Sequence, residues 1–172
     1  MPASPTIDTI RAAIVSAIKS ALNVGSPASV VTVHDYRRYW RDYDKFKALF
    51  QRTDAGGDVP SGRLNGWMVT RLRTREVEAL EWSRFYQVHA FELEGFLGVQ
   101  DAAALSATEK VFQDQIEKIR DNLRLNLTVY QTTEQTNPVC QVESIEPFDF
   151  GERTVWKANL LLEAESIEVK FS

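Results

Sequence analysis

The stretch that decides the fold is GWMVTRLRTREVE, Gly66 to Glu78, in which arginines alternate with leucine and threonine. Arg71, Arg73 and Arg75 stand two residues apart, which is the side-chain period of a β-strand. A second strand-like stretch, RFYQVHAFELEGFLGV, follows after the short connection EALEWS. The sequence therefore predicts a long hairpin, from Trp67 to about Glu78 and from Arg84 to about Leu97, with the three arginines on one face of its first strand.

Three other segments carry apolar residues at the three- and four-residue steps of an amphipathic helix. The first is TIRAAIVSAIKSALN near the N-terminus, and the second is HDYRRYWRDYDKFKALFQR, for which Asp35 is the predicted cap. The third is LSATEKVFQDQIEKIRDNLRLN, where Ser106 and Glu109 fit a capping box. The predicted buried stripe of this third helix is Phe112, Ile116, Ile119 and Leu123.

The remaining strand signals are the short run VVTV, Val30 to Val33, and two C-terminal strands joined around PFDFGER. Trp156 to Ala164 alternate on one face, whereas Ile167, Val169 and Phe171 have the opposite parity. The last strand must therefore bulge, bend or change packing surface if both sets are to point inward.

This order of elements predicts a single α+β domain over residues 1–172. We expect a mostly antiparallel sheet with a long central hairpin and with helices packed on one face.

Composition places the chain among soluble globular proteins, with 44% hydrophobic and 26% charged residues in 172. No apolar run approaches the roughly 18–20 residues that a bilayer requires, so no membrane partner is expected. Arg11 and Lys19 interrupt the N-terminal apolar run, which argues against a signal peptide and for a cytoplasmic setting. The single cysteine, Cys140, lies in the strand-like PVCQVESI and is expected to be a small buried hydrophobic residue rather than a reactive thiol.

Charge is unevenly distributed along the chain. Residues 1–86 hold 13 Lys and Arg against 9 Asp and Glu, a net charge of +4, whereas residues 87–172 hold 7 against 15, a net charge of −8. Such asymmetry indicates either a polyanionic partner or basic and acidic faces that attract each other when copies stack. It has no functional meaning if the fold mixes the two halves on one surface.

Catalytic and metal-binding signals are weak. His34 and His89 lack neighbours at metal-ligand spacing, and His89 alternates with apolar residues, as a hydrogen-bonded histidine within or beside the core would. Glu92 and Glu94 share a strand face as paired catalytic carboxylates would, but a solvated face would leave both ionised. No nucleophile elbow, metalloprotease helix or phosphate-binding loop is present. We expect neither catalysis nor a metal or cofactor.

The arrangement resembles the tail terminator and tail completion proteins of tailed bacteriophages. The resemblance rests on the N-terminal helix TIRAAIVSAIKSALN, the central hairpin LNGWMVTRLRTRE with RFYQVHAFELEGFLGV, the helix SATEKVFQDQIEKIRDNL and the acidic closing hairpin that ends in NLLLEAESIEVKF. It spans most of the chain but includes no diagnostic motif. The aromatic helix DYRRYWRDYDKFKALF departs from the pattern, which leaves open a related neck or connector role.

The resemblance implies a structural virion protein, assembled in the host cytoplasm and located at the head-proximal end of the tail. It implies a ring, expected to be hexameric, that caps the tail tube and provides the head-joining surface. Its partners would be copies of itself, the tail tube, the neck or connector protein and, as a further candidate, sheath proteins. Non-specific contact with genomic DNA in the lumen would also be compatible with it. The candidates for subunit contact are Arg71, Arg73, Arg75, Trp67, Glu92 and Glu94.

Two alternatives stay open. The first is a nucleic-acid-binding module that uses the basic and aromatic segment 36–52 together with the arginine strand 71–75. Aromatic residues at helical spacing are more often core, and three aspartates dilute the basic face of that segment. The second alternative is a small α+β enzyme whose site the sequence does not reveal.

Overall fold

The computed structural model describes residues 6–22, 31–51, 64–77, 84–99, 105–126, 139–150 and 153–169. Within them, the helices are α1 (Ile7–Leu22), α2 (Tyr43–Phe50) and α3 (Leu105–Asn126). The strands are β1 (Thr32–His34), β2 (Asn65–Val77), β3 (Arg84–Gly98), β4 (Val139–Phe150) and β5 (Arg153–Val169). The predicted strand residue Val30 lies outside the described residues.

The strands form one sheet in the order β1-β2-β3-β5-β4. β1 pairs with β2 in parallel, and the other three pairings are antiparallel. The predicted α+β class and the long central hairpin of β2 and β3 are confirmed. Because β5 returns beside β3, the first half of the chain supplies one edge of the sheet and the second half supplies the other.

Helices α1 and α3 cover one face of the sheet and enclose the larger core. The stripe predicted for α3, Phe112, Ile116, Ile119 and Leu123, is buried. Of the apolar residues at helical spacing on α1, Ile10, Ile14 and Ile18 are fully inaccessible, and Ile7 and Leu22 at its two ends are partly buried. The side-chain amide of Asn122 on α3 donates a 2.6 Å hydrogen bond to the Ala17 carbonyl of α1, which links the two helices. α3 begins at Leu105, so Ser106 lies within its first turn rather than at the predicted cap position.

Helix α2 lies on the opposite face, so the prediction that helices pack on one face holds for α1 and α3 only. Its Phe46 and Phe50 pack against Met68 of β2 and Phe96 of β3. The neighbouring residues of those strands, such as Trp67 and Val69, point to the other face, where α1 and α3 lie. The helix also begins later than predicted. Asp42, not Asp35, is the cap, and its carboxylate accepts a 2.9 Å hydrogen bond from the backbone N–H of Lys45.

The sheet brings two bulky aromatic rings against glycines. Trp67 stands directly opposite Gly95 in the β2–β3 register, and a Cβ at Gly95 would lie 2.5 Å from the indole ring. On the other face, a Cβ at Gly66 would lie 2.6 Å from the ring of Phe50. Real Cβ contacts are longer than this, so glycine at each position leaves the space that the ring occupies.

Two register shifts interrupt the ladders, one between Arg71 and Arg73 on β2 and one between Val142 and Ser144 on β4. β5 itself pairs with β3 from Val155 to Val169 without a shift. The predicted irregularity of the last strand is therefore not seen in its pairing with β3. The bulge in its partner β4 lies opposite Leu160 and Asn159, away from the change of parity after Ala164. Phe171, on which that prediction also depended, lies outside the described residues.

Candidate functional site

Three strands extend past the residues that form the two cores. The core clusters end at Val69 on β2, Phe91 on β3 and Ala164 on β5, whereas these strands continue to residues 77, 84 and 169. We call residues 71–77, 84–90 and 165–169 the arm. The sequence predicted an extended hairpin here, and the structure adds β5 as a third strand.

A β-bulge at Leu72 divides the three arginines between the two faces of the arm. Arg71 stands opposite Phe91, which faces α1 and α3, whereas Arg73 stands opposite Ala90 on the face that carries α2. Arg75 follows Arg73 by two residues and shares its face. The prediction that all three arginines share one face is therefore wrong, because a bulge adds one residue and reverses the alternation after it.

Arg71 belongs to a hydrogen-bond chain that links β2, β3 and β5 and runs from the surface at Arg71 to the buried pair His89 and Ser166. Its guanidinium donates to Oγ1 of Thr74 at 2.6 Å, and that oxygen lies 2.9 Å from Nδ1 of His89. Nε2 of His89 lies 2.9 Å from Oγ of Ser166. Since a guanidinium only donates, the Thr74 hydroxyl proton is free to point at Nδ1, and the Nε2–H of a neutral His89 then donates to Ser166.

The environment of His89 favours its neutral form. Burial first, and the positive charge of Arg71 second, lower the pKa of His89 below its ordinary value of 6.5. The side chain is 2% exposed, and both ring nitrogens have partners. The prediction that His89 is a satisfied histidine within or beside the core is confirmed.

The contact between Ser166 and His89 has the distance of a nucleophile and its general base. The partner of the second ring nitrogen differs from that in a catalytic triad. In a triad a carboxylate accepts from this nitrogen and stabilises the imidazolium, whereas in this chain Nδ1 of His89 contacts Thr74, which in turn contacts the cation of Arg71. Ser166 is also only 5% exposed. The chain of contacts is therefore suited to fixing three strands in register. Sequence reasoning missed Thr74 and Ser166, since their proximity depends on β5 lying beside β3.

Arg73 and Arg75 are exposed on the other face of the arm. Neither forms an ion pair with a carboxylate within the part of the chain that the structure describes. Leu72, between Arg71 and Arg73, is 51% exposed. We call Arg71, Leu72, Arg73 and Arg75 the basic patch. β1 pairs only with Gly66 to Met68, so among the described strands none covers the outer edge of β2 at this patch.

The other predicted contact residues are engaged within the subunit. Glu92 pairs with Arg37, and Oε1 of Glu94 lies 2.8 Å from Nζ of Lys157. The two carboxylates share the face that carries α2, as predicted, but each has its own cation. That arrangement differs from the like-charge pair used in acid–base catalysis. Trp67 is fully buried in the larger core, so its side chain offers no surface to a neighbour.

The opposite edge of the sheet is acidic. β4 carries Glu143, Glu146 and Asp149, all exposed, and no basic residue. Phe148 lies among them and is 36% exposed. We call these four residues the acidic patch. No local pattern reveals the acidic patch, because its position depends on β4 being an edge strand.

The segment between β1 and α2 contains two exposed aromatic residues that the sequence assigned to a helix. Tyr36 is 48% and Tyr39 is 85% exposed, whereas Trp40 packs against Phe46, Phe50 and Phe96. The guanidinium of Arg38 lies over the Tyr36 ring, 3.9 Å from its centroid. The aromatic residues of segment 36–52 therefore divide into a buried set and an exposed pair.

The remaining candidate groups have structural partners. Nε2 of His34 lies 2.9 Å from the carbonyl oxygen of Leu49, which ties β1 to α2. Cys140 is buried, and this burial raises its pKa to about 11. Across the described residues, no group of three or more His, Cys, Asp and Glu side chains could hold a metal ion. No helix among them has the length and apolarity to cross a membrane.

Comparison with known proteins provides no family assignment. No protein-family model matches the sequence, and no curated protein matches it.

Proposed function

We propose that the chain is a structural subunit that assembles with copies of itself into a ring, as a tail terminator or tail completion protein at the head-proximal end of a phage tail. The observation that carries the proposal is the arm, in which three strands leave the helix-covered cores and present exposed arginines beside an open strand edge. A long strand with an open edge and charged side chains is a surface that a neighbouring subunit can cover.

Closure of a ring requires a heterologous interface, in which one patch of a subunit meets a different patch of the next. Among the described strands, the sheet has two unlike edges that are unpaired at β4 and along β2 beyond Met68, which fits this requirement, and a self-complementary patch would instead favour a two-fold dimer. The ladders of β3 and β5 continue unbroken into the arm, and the His89 chain fixes them to β2. Such cross-linking suits an arm that transmits force between subunits.

The proposal has a direct test with the full-length chain. We expect negative-stain electron microscopy to show closed rings of uniform subunit number, and we expect these rings to bind the ends of purified tail tubes from a phage that encodes the chain. Tubes incubated with the protein should stop elongating. Protein that forms no rings, or rings that leave tube elongation unchanged, would overturn this function.

A nucleic-acid-binding role is a second candidate, favoured by the exposure of Tyr39 beside the cations of segment 36–52. An aromatic ring that is 85% exposed offers a face on which a base can stack, and Arg38 and Arg41 flank it. Binding of single-stranded DNA that weakens steeply with salt and falls about tenfold or more in Tyr39→Ala would support this role. The variant Val111→Ala, which removes another exposed apolar side chain, is the matched control.

A further inference from the structure

Among the described strands, β4 and the part of β2 beyond Met68 have no partner on their outer edges, and these two edges are complementary in charge. β2 carries three arginines and one glutamate, a net charge of +2, whereas β4 carries three carboxylates and no cation, a net charge of −3. The asymmetry between the two halves of the sequence is therefore also an asymmetry in space. The strand order produces it, because β2 and β4 stand on opposite sides of β3 and β5.

Each patch also contains one exposed apolar side chain among its charges. Leu72 lies between arginines in the basic patch, and Phe148 lies between Glu146 and Asp149 in the acidic patch. An apolar centre with a charged rim is the usual composition of a protein interface. The two patches therefore match in both respects.

The two patches of one subunit are too far apart to pair with each other. Three strand intervals separate β2 from β4, which is about 14 Å at about 4.8 Å per interval. The register places Arg73 level with Ala90, Glu163 and Val139, so Glu146 lies a further seven residues along β4. At about 3.3 Å per residue this adds about 20 Å along the strands. The carboxylates of the acidic patch can therefore meet a basic patch only on another chain.

We propose that the basic patch of one copy docks on the acidic patch of the next copy, with Arg73 and Arg75 paired with Glu143 and Glu146. This contact rests on the proposed function, in that it treats the chain as a subunit of an assembly. Arg73, Arg75 and Glu146 lie on the face that carries α2, so a neighbour displaced by about 20 Å along the strands brings them together.

Side chains, rather than a continuous backbone ladder, make the contact. Leu72 and Glu143 are the extra residues of two bulges, and Pro147 has no N–H to donate. Bulges and prolines at an edge strand prevent it from forming a backbone ladder with the edge of any other sheet. The charges then determine which edges meet: the basic patch of one copy attracts the acidic patch of another copy, and two patches of the same sign repel each other.

Charge reversal on one patch at a time tests the contact. The variant R73E/R75E has two acidic edges, and the variant E143R/E146R has two basic edges. Neither should assemble alone, and each association constant should fall about tenfold or more. An equimolar mixture should assemble, because each contact then joins edges of opposite charge. The acidic β2 of R73E/R75E meets the basic β4 of E143R/E146R, and the unchanged acidic β4 of R73E/R75E meets the unchanged basic β2 of E143R/E146R.

The control variant K110E/K118E makes the same change in net charge as R73E/R75E, on exposed positions of α3, and should assemble like the wild type. Circular dichroism checks that each variant keeps its fold. Assembly of R73E/R75E alone at wild-type affinity, or failure of the mixture, would overturn the contact. Wild-type rings that bind tail tubes would in that case leave the proposed function standing.

The converse outcome is also distinguishable. Obligate co-assembly of the two variants, combined with wild-type chains that form open fibres or do not bind tail tubes, would support the contact and reject the terminator function. A wild-type chain that stays monomeric at every concentration would reject both.

Discussion

Arg71 and Thr74 lie on the same face of β2, joined by a 2.6 Å hydrogen bond, although they are three residues apart. In an uninterrupted strand, residues at this spacing point to opposite faces. The extra residue is Leu72, which has no partner in the β2–β3 register. One bulge therefore sends Arg71 into the His89 chain and leaves Arg73 and Arg75 exposed on the other face.

Deletion of Leu72 should leave the register of β2 intact. Arg71 and Arg73 would then be consecutive residues opposite Phe91 and Ala90, which are consecutive already. We expect the free energy of unfolding to change by no more than about 1 kcal/mol, measured by urea denaturation. Deletion of Thr70 should cost more, because Arg71 would then stand opposite Glu92 and Leu72 opposite Phe91, which moves Arg71 to the face that carries α2 and breaks its hydrogen bond to Thr74. Equal losses in the two deletions would contradict the bulge.

The pKa of His89 should respond to Arg71 and not to Arg75. Arg71→Gln removes the charge that acts second to burial in lowering this pKa, so the pKa should rise toward 6.5. Arg75→Gln changes the opposite face of the arm and is the matched control. Titration of the His89 ring resonances by NMR measures both. A pKa that is unchanged in the Arg71 variant would show that the two groups do not interact.

Stability should fall as the pH is lowered through the ordinary histidine range. Because the folded pKa of His89 is depressed, the unfolded chain takes up a proton below about pH 6.5 that the folded chain does not bind. The contribution of His89 to the free energy of unfolding is fully present above that pH. Below it, this contribution falls by at most about 1.4 kcal/mol per pH unit. Arg71→Gln raises the folded pKa of His89, so the folded chain of this variant also binds the proton at a higher pH. As the pH is lowered, the His89 contribution to the slope should therefore disappear earlier in the variant than in the wild type, as measured by urea denaturation at a series of pH values. An identical dependence in both proteins would count against the assignment.

The contact between Trp67 and Gly95 should be visible as an energetic coupling. Gly95→Ala places a Cβ 2.5 Å from the indole ring, and we expect it to lower the free energy of unfolding by about 2 kcal/mol or more. Trp67→Phe removes the ring atoms in that contact, so Gly95→Ala should cost less in this background. A double-mutant cycle should give a coupling of about 1 kcal/mol or more. Additive effects would mean that the ring does not lie over Gly95.

Periodicity was sufficient to predict much of this fold, because alternation and helical stripes depend on neighbouring residues. The stripe from Phe112 to Leu123 and the alternation from Trp156 to Ala164 are buried as predicted. The start of α2 was not predictable from its caps, since Asp35 and Asp42 are equivalent locally. Long-range contacts decide it: Trp40 packs against Phe96, and His34 contacts the Leu49 carbonyl.

The candidate site was predicted less well, because it depends on strand order and on a bulge. The sequence identified the arginine run as a surface, but alternation alone placed Arg71 with Arg73. The salt-bridge partners of Glu92 and Glu94 come from distant segments, and the acidic patch exists only because β4 is an edge strand. These features are tertiary, and no local pattern encodes them.

Sedimentation velocity of the full-length chain over a concentration series is the most direct test of the claim that this protein is a building block. The account predicts a species of defined mass, several times the 19.6 kDa of one chain, that dissociates as salt is raised and the ion pairs are screened. A single 19.6 kDa species at the highest concentration and lowest salt would contradict it.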